Sequence, residues 1–408
     1  MTNNQAKVSS ELNALIKISK KVGKDISLVQ GGGGNTSVKT ADNKYMFIKA
    51  SGTALKDMSK EKGWRRIKLD SALSLLTDSS LDTMDTAVRE TEVVNRLFLA
   101  CDDNDLSCDS SARPSVEAQL HAMLDKYVIH LHPDAIGAYV NNKDGQKLLE
   151  KLFEKEKLPA LWVPYTDPGL MLGKNIYKLV ETYKKKNKQM PNILFLEKHG
   201  LFVTASSADS ALDIVSKTVK TCSAKLGSTA SHSKTKQKIK KSDINDAKLC
   251  IRKAFFEATG QYACVNFFLD ETIAANMKQI SSAKKPEDIL TASPINPDEL
   301  VYANGSAMWV PKCDCEQISQ KLKKQISSKK KPSLGFLVKG LGLFIVAKPT
   351  TASVIRDILS SSMNIRINAS KLGGLICLNK RQEDFIANWE AEAFRKAVAS
   401  VATTGSQE

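Results

Sequence analysis

The run Val128-Ile-His-Leu-His-Pro-Asp-Ala-Ile136 constrains this chain more than any other feature. It sets His130 and His132 two positions apart inside an apolar segment that reads as one buried strand. Side chains on a strand alternate between its faces, so residues two apart point the same way. Two imidazoles on one face of a core strand need a common reason, because a buried polar ring without a partner costs about 1–3 kcal/mol. The bland alternative is a pair of hydrogen-bonded core histidines, each explained separately. A shared metal ion explains both at once. A third histidine, His199, stands before a glycine in a second apolar run, 193–204, which also reads as one strand. Three neutral protein ligands and an open fourth position are what a catalytic zinc needs, whereas structural zinc usually closes with four ligands. The chain has five histidines in all. His232 falls in a polar segment, where solvation accounts for it.

Glu117 precedes His130 on a short helical stretch, 115–126, that Pro114 and Ser115 are suited to start. It is either an acidic residue favoured by the helix dipole or a general base beside the metal. His121, four residues on, shares its helix face and is expected to pack. The four glycines Gly31–Gly34, followed by Asn35-Thr36-Ser37, form a loop whose successive N–H groups suit an anion. The loop matches neither the dinucleotide nor the P-loop pattern, and a flexible turn is the alternative. Strands near 36–39 and 45–49 make a hairpin around Ala41-Asp42-Asn43. A second polar loop, Lys49-Ala50-Ser51-Gly52-Thr53, closes that hairpin and can face the same anion. Helices are expected over 8–23, 84–100 and 208–226.

Segment 227–242 has almost no apolar content and reads as a linker. It divides the 408 residues into a catalytic domain, 1–226, and a C-terminal α/β domain, 243–408. Phe195-Leu-Glu-Lys-His-Gly-Leu-Phe resembles Phe336-Leu-Val-Lys-Gly-Leu-Gly-Leu-Phe with one gap. Chance recurrence of Gly-Leu-Phe in buried strands is one reading and duplication the other. Under duplication His199 maps onto Leu341, and the second domain is a degenerate repeat without metal ligands, since no histidine follows His232.

The formal net charge of +16 allows a phosphorylated or nucleic-acid partner. No RNA- or DNA-binding signature accompanies it, so runs such as Lys184-Lys185-Lys186 and Lys329-Lys330-Lys331 are expected as solvated surface. Eight scattered cysteines with no Cys-x-x-Cys pair fit free thiols in a reducing cytoplasm. No apolar run approaches the roughly 20 residues of a membrane span, and no apolar stretch opens the chain as a secretory signal would.

In order, the glycine loop with Asn-Thr-Ser, the Ser51-Gly52 loop, Pro114-Ser115-Val116-Glu117, His130-Leu131-His132 and His199-Gly200-Leu201 resemble the class II aldolase/adducin family. The chain is most similar to the aldolase portion of bifunctional rhamnulose-1-phosphate aldolase/dehydrogenases. Val163-Pro164-Tyr165-Thr166-Asp167-Pro168-Gly169, Asn296-Pro297-Asp298 and the stretch 340–395 extend that likeness. There is no dinucleotide loop, so NAD chemistry is not carried over. The resemblance implies a three-layer α/β/α fold with a central, mainly antiparallel sheet, and commonly a homo-oligomer with its active site between subunits. It implies a divalent metal, typically zinc, on His130, His132 and His199, with Glu117 as acid/base. Asn35, Ser51, Gly52 and Ser115, with Gly34 and Thr36 beside Asn35, fall where the family binds the substrate phosphate. A tyrosine often serves at the aldehyde oxygen, and Tyr165 lies in a matching motif. The implied reaction is cleavage of a ketose 1-phosphate to dihydroxyacetone phosphate and an aldehyde. Epimerase, dehydratase or decarboxylase chemistry on the same metal site, and a non-catalytic adducin-like interaction protein, are the alternatives.

Overall fold

The computed structural model describes residues 9–102, 110–226, 239–291 and 293–389. Seven strands build the larger sheet: β1 (Asn35–Lys39), β2 (Tyr45–Lys49), β3 (Trp64–Lys68), β4 (Tyr127–Leu131), β5 (Ala160–Val163), β6 (Ile193–Leu196) and β7 (Gly200–Ala205). Their order is β3-β2-β1-β4-β7-β6-β5, and every pair is antiparallel except β5 with β6. Alternation along the strands feeds two apolar layers. Ile129, Ile193, Phe195 and Val203 pack with the helices Ser10–Gly23, Asp134–Val140 and Ala208–Leu226 on one face. Val128, Leu194, Leu196 and Phe202 pack with Ala118–Ala122 and Leu170–Asn187 on the other. The expected three-layer α/β/α arrangement with a mainly antiparallel sheet is therefore present.

The first helix, expected over 8–23, runs Ser10–Gly23 and is capped by Ser9, whose Oγ accepts the Leu12 N–H at 3.2 Å. The 36–39/45–49 hairpin forms in register, with Ser37 facing Ile48. Two expectations need correction. The 128–136 segment is not one strand, because β4 stops at Leu131 and Pro133 caps a new helix, Asp134–Val140. The 193–204 run is two strands folded back on each other, with Leu196 opposite Gly200. Lys198, at φ +55°, turns the chain between them, so His199 sits in the turn rather than on a strand.

A second sheet holds β8 (Val265–Phe268), β9 (Met308–Val310), β10 (Gly335–Val338) and β11 (Gly342–Val346) in the order β8-β11-β10-β9. Its pairing repeats that of β4-β7-β6-β5. The β10/β11 hairpin sets Val338 opposite Gly342 across a three-residue turn, as β6/β7 sets Leu196 opposite Gly200. Trp309 lies beside Leu337 in a parallel pair, as Trp162 lies beside Phe195. Phe267 faces Phe344 where His130 faces Phe202. The register thus matches His130 with Phe267, His132 with Leu269 and His199 with Leu341. All three substitutes are apolar.

Segment 227–242 falls outside the described residues as far as 238, as do His232 and Cys108, and its last two residues open the helix Lys241–Thr259. Lys184-Lys185-Lys186 ends the helix Leu170–Asn187. The long helix Pro349–Lys371 packs its middle against the first half: Ser361 Oγ and Asn364 Nδ2 donate to Asp134 at 2.5 and 2.9 Å, and Asn142 Nδ2 donates to the Ala369 carbonyl at 3.0 Å. No helix among the described residues is long and apolar enough to cross a membrane.

Candidate functional site

One face of β1 builds the support of the site. Asn35, Ser37 and Lys39 alternate with Thr36 and Val38, and all three turn towards the segment that carries Glu117. Asn35 Nδ2 donates to Ser115 Oγ at 3.0 Å and to Glu117 Oε2 at 2.6 Å. Ser37 Oγ shares a hydrogen bond of 2.8 Å with His121 Nδ1. Lys39 Nζ donates to the carbonyls of His121, Leu124 and Asp125 at 2.6–3.0 Å, which fixes the end of the helix Ala118–Ala122. Glu117 itself is the N-cap of that helix, one position before its first turn. The opposite face sends Thr36 Oγ1 to Ser19 Oγ at 2.6 Å, away from the site.

His130, His132 and His199 converge as expected, each offering a nitrogen within 4.8 Å of the others. His130 Nδ1–H donates to the Leu201 carbonyl at 3.0 Å and His132 Nδ1–H to Asp298 Oδ2 at 2.6 Å. With both protons on Nδ1, the two Nε2 lone pairs face one another 3.1 Å apart. Two lone pairs at that distance repel unless a cation lies between them. Burial holds the His130 ring well below its ordinary pKa, against the pull of Glu117, so it is a neutral donor. Glu117 Oε2 and Oε1 lie 3.5 and 3.6 Å from His130 and His199 Nε2. Burial opposes charge on Glu117 and the hydrogen bond from the Asn35 amide favours it, the balance lying towards the carboxylate. Three imidazole nitrogens beside a carboxylate fit a divalent cation.

Two glycines are needed for this approach. A Cβ on Gly200 would stand 2.5 Å from the Leu131 carbonyl and 2.7 Å from the His132 ring. A Cβ on Gly34, at φ +60°, would stand 2.7 Å from the His130 carbonyl.

The histidines open into a cavity that Gly34, Asn35, Ser51, Gly52, Ser115 and Glu117 also line. Ser51 N–H donates to the Arg113 carbonyl and Ser115 N–H to the Lys49 carbonyl, so the Ser-Gly loop and Ser115 meet side by side. Lys49 Nζ ties the two loops together through the carbonyls of Gly32 and Thr53, at 3.2 and 2.7 Å. Asn35 Oδ1 and Trp389 Nε1 are buried at this cavity without a protein partner. Tyr165 lines an adjoining cavity together with His199, and its hydroxyl donates to Asp167 Oδ1 at 3.2 Å. Of the sequence candidates, only Thr36 and Tyr165 do not line the histidine cavity.

The sequence placed Lys49 in the second polar loop without a role for its side chain, and gave none to Pro168, Pro297, Asp298 or Trp389; all five reach the cavity. A lysine at the end of the apolar strand Met46–Ile48 was a readable signal. Nothing local marks Asp298, which lies 166 positions from His132.

The model of the class II aldolase and adducin N-terminal domain matches residues 13–226, just over half of the chain. The chain belongs to the class II aldolase and adducin family. A Bacillus subtilis protein named uncharacterized oxidoreductase YuxG is 29% identical over 213 residues, which are 50% of this chain and 28% of that protein. The chain therefore matches less than a third of that relative's length. The N-terminal class II aldolase domain of a conserved protein from Thermoplasma acidophilum is 28% identical. The match covers 55% of this chain and 98% of that one, with a TM-score of 0.42. L-fuculose-1-phosphate aldolase from Thermus thermophilus is 14% identical over 53% of this chain and 93% of its own, with a TM-score of 0.31.

Proposed function

We propose that this chain is a divalent-metal-dependent aldolase that cleaves a ketose 1-phosphate to dihydroxyacetone phosphate and an aldehyde. The observation that carries the reading is the set of three histidines converging beside the buried Glu117 carboxylate, within a cavity that the Gly34-Asn35 and Ser51-Gly52 loops also line. His130, His132 and His199 would hold the ion, zinc in our reading, which supplies Lewis-acid polarisation of the substrate oxygens. Gly34, Asn35, Ser51, Gly52 and Ser115 would take the phosphate, with the buried Lys49 ammonium behind them. Residues 1–226 form the catalytic domain, and 243–408 a degenerate repeat whose ligand positions have become apolar.

In the condensation direction, Glu117 takes a proton from the hydroxymethyl carbon of dihydroxyacetone phosphate. The electron pair left on that carbon forms the new bond to the aldehyde carbon, and the aldehyde oxygen gains a proton. Tyr165, in the adjoining cavity, is the candidate donor of that proton. Cleavage is the reverse, with Glu117 returning its proton to the carbon. The Asn35 hydrogen bond and the neighbouring histidines fix where Glu117 stands, which sets the carbon it can reach.

The test is release of dihydroxyacetone phosphate from a panel of ketose 1-phosphates, read by coupling to a glycerol-phosphate dehydrogenase. At least one panel member is expected to yield it. A metal-loaded protein that releases none, but epimerises, dehydrates or decarboxylates a sugar, would replace the aldolase assignment.

A further inference from the structure

The C-terminal half reaches the histidine cavity at one polar contact that the proposed chemistry does not use. Asp298 lies in the first turn of the short helix Pro297–Ala303, is 4% exposed, and accepts the Nδ1–H of His132 at 2.6 Å. Its position is held from behind. Asn296 caps the helix through the Glu299 N–H at 2.9 Å. Glu299, with no exposed surface, pairs with the equally buried Arg366 at 2.8 Å on the helix Pro349–Lys371. That same helix grips Asp134, two residues beyond His132, through Ser361 and Asn364. Both contacts brace the end of β4, and neither comes from the half that carries the histidines.

A neutral imidazole carries one proton, on either ring nitrogen. An acceptor at Nδ1 decides which. We propose that Asp298 is a positioning residue for His132: by accepting the Nδ1–H it keeps the Nε2 lone pair turned into the cavity, so the C-terminal half completes the site. This rests on the reading of the histidines as metal ligands. A carboxylate behind a ligating histidine fixes its ring and raises its basicity, and losing such a partner typically weakens metal binding about 10–100-fold. The repeat kept no ligands of its own, yet it supplies the group that orients one in its neighbour.

The experiment titrates the full-length apoprotein with Co2+, reading affinity by chelator competition and the visible absorption of the bound ion. Wild type, Asp298→Ala, Asp298→Asn and His199→Ala are compared. Asp298→Ala is expected to bind Co2+ about 10–100-fold more weakly and with an altered spectrum. Asp298→Asn keeps a neutral acceptor at the same place and is expected to recover most of that loss. Asp298→Leu, close in shape but without an acceptor, repeats the measurement if the alanine variant does not fold. Wild-type affinity and spectrum in the variants without an acceptor would overturn the proposal, as would equal losses in Asn and Ala. Wild-type protein that binds no Co2+ overturns the metal reading itself, and this inference with it.

Discussion

Glu117→Gln is expected to lower the rate of dihydroxyacetone phosphate release about 10²–10⁴-fold, the usual contribution of a positioned acid/base, while the protein still loads its metal. The amide keeps an oxygen that can accept from Asn35 Nδ2, 2.6 Å away in the native site, so the loop geometry is retained. What disappears is the ability to take a proton. The loss corresponds to about 3–5 kcal/mol at the transition state. It should appear in kcat rather than in KM, because the interaction is made at the reacting carbon. Substrate turnover and metal content measured on one preparation separate the two effects. Full activity in Glu117→Gln would remove Glu117 from the mechanism and leave the metal reading standing.

The second large effect lies in the support of the site. Arg366→Met is expected to destabilise the protein by about 3–5 kcal/mol, because it strands the buried Glu299 carboxylate. For a chain of this length that corresponds to a fall in Tm of roughly 5 °C. Arg366 Nη2 donates to Glu299 Oε2 at 2.8 Å and to the Ser293 carbonyl at 2.7 Å, and Nε donates to Ser362 Oγ at 3.1 Å. The double variant Arg366→Met/Glu299→Leu removes the uncompensated charge and should recover part of the loss. It cannot recover all of it, since the Ser293 carbonyl and the Ile295 N–H, which Glu299 Oε2 accepts at 2.7 Å, stay unpaired. Thermal unfolding of the three variants checks this. A double variant no more stable than Arg366→Met would mean that the pair is not the source of the cost.

The local parts of the site were legible because they obey short-range rules. His130 and His132, the latter one position past the end of β4, point the same way by alternation, and the same rule explains why Asn35 reaches Glu117 whereas Thr36 turns to Ser19. The first helix was readable from Ser9 and its apolar spacing, and the hairpin from its turn residues. The two misread strands have a common cause. Apolar runs report burial, and burial continues through a tight turn when both arms are core. Lys198 at φ +55° gives no glycine or asparagine signal, and Pro133 reads equally well as a strand end or a helix start. The likeness of the two hairpins was visible as Gly-Leu-Phe, but only the pairing registers matched the flanking Trp162 and Trp309 strands to each other. Asp298 stands in the motif Asn296-Pro297-Asp298, yet its contact with His132 depends on how two halves of the chain pack. No window of sequence contains that information.

The metal content of the purified protein tests the central claim most directly. Inductively coupled plasma mass spectrometry on wild type and His199→Ala would measure it. The account predicts about one divalent ion per chain in the wild type, as a three-histidine catalytic site requires, and its loss in the variant. No ion in either protein after reconstitution with zinc, manganese or cobalt would contradict it.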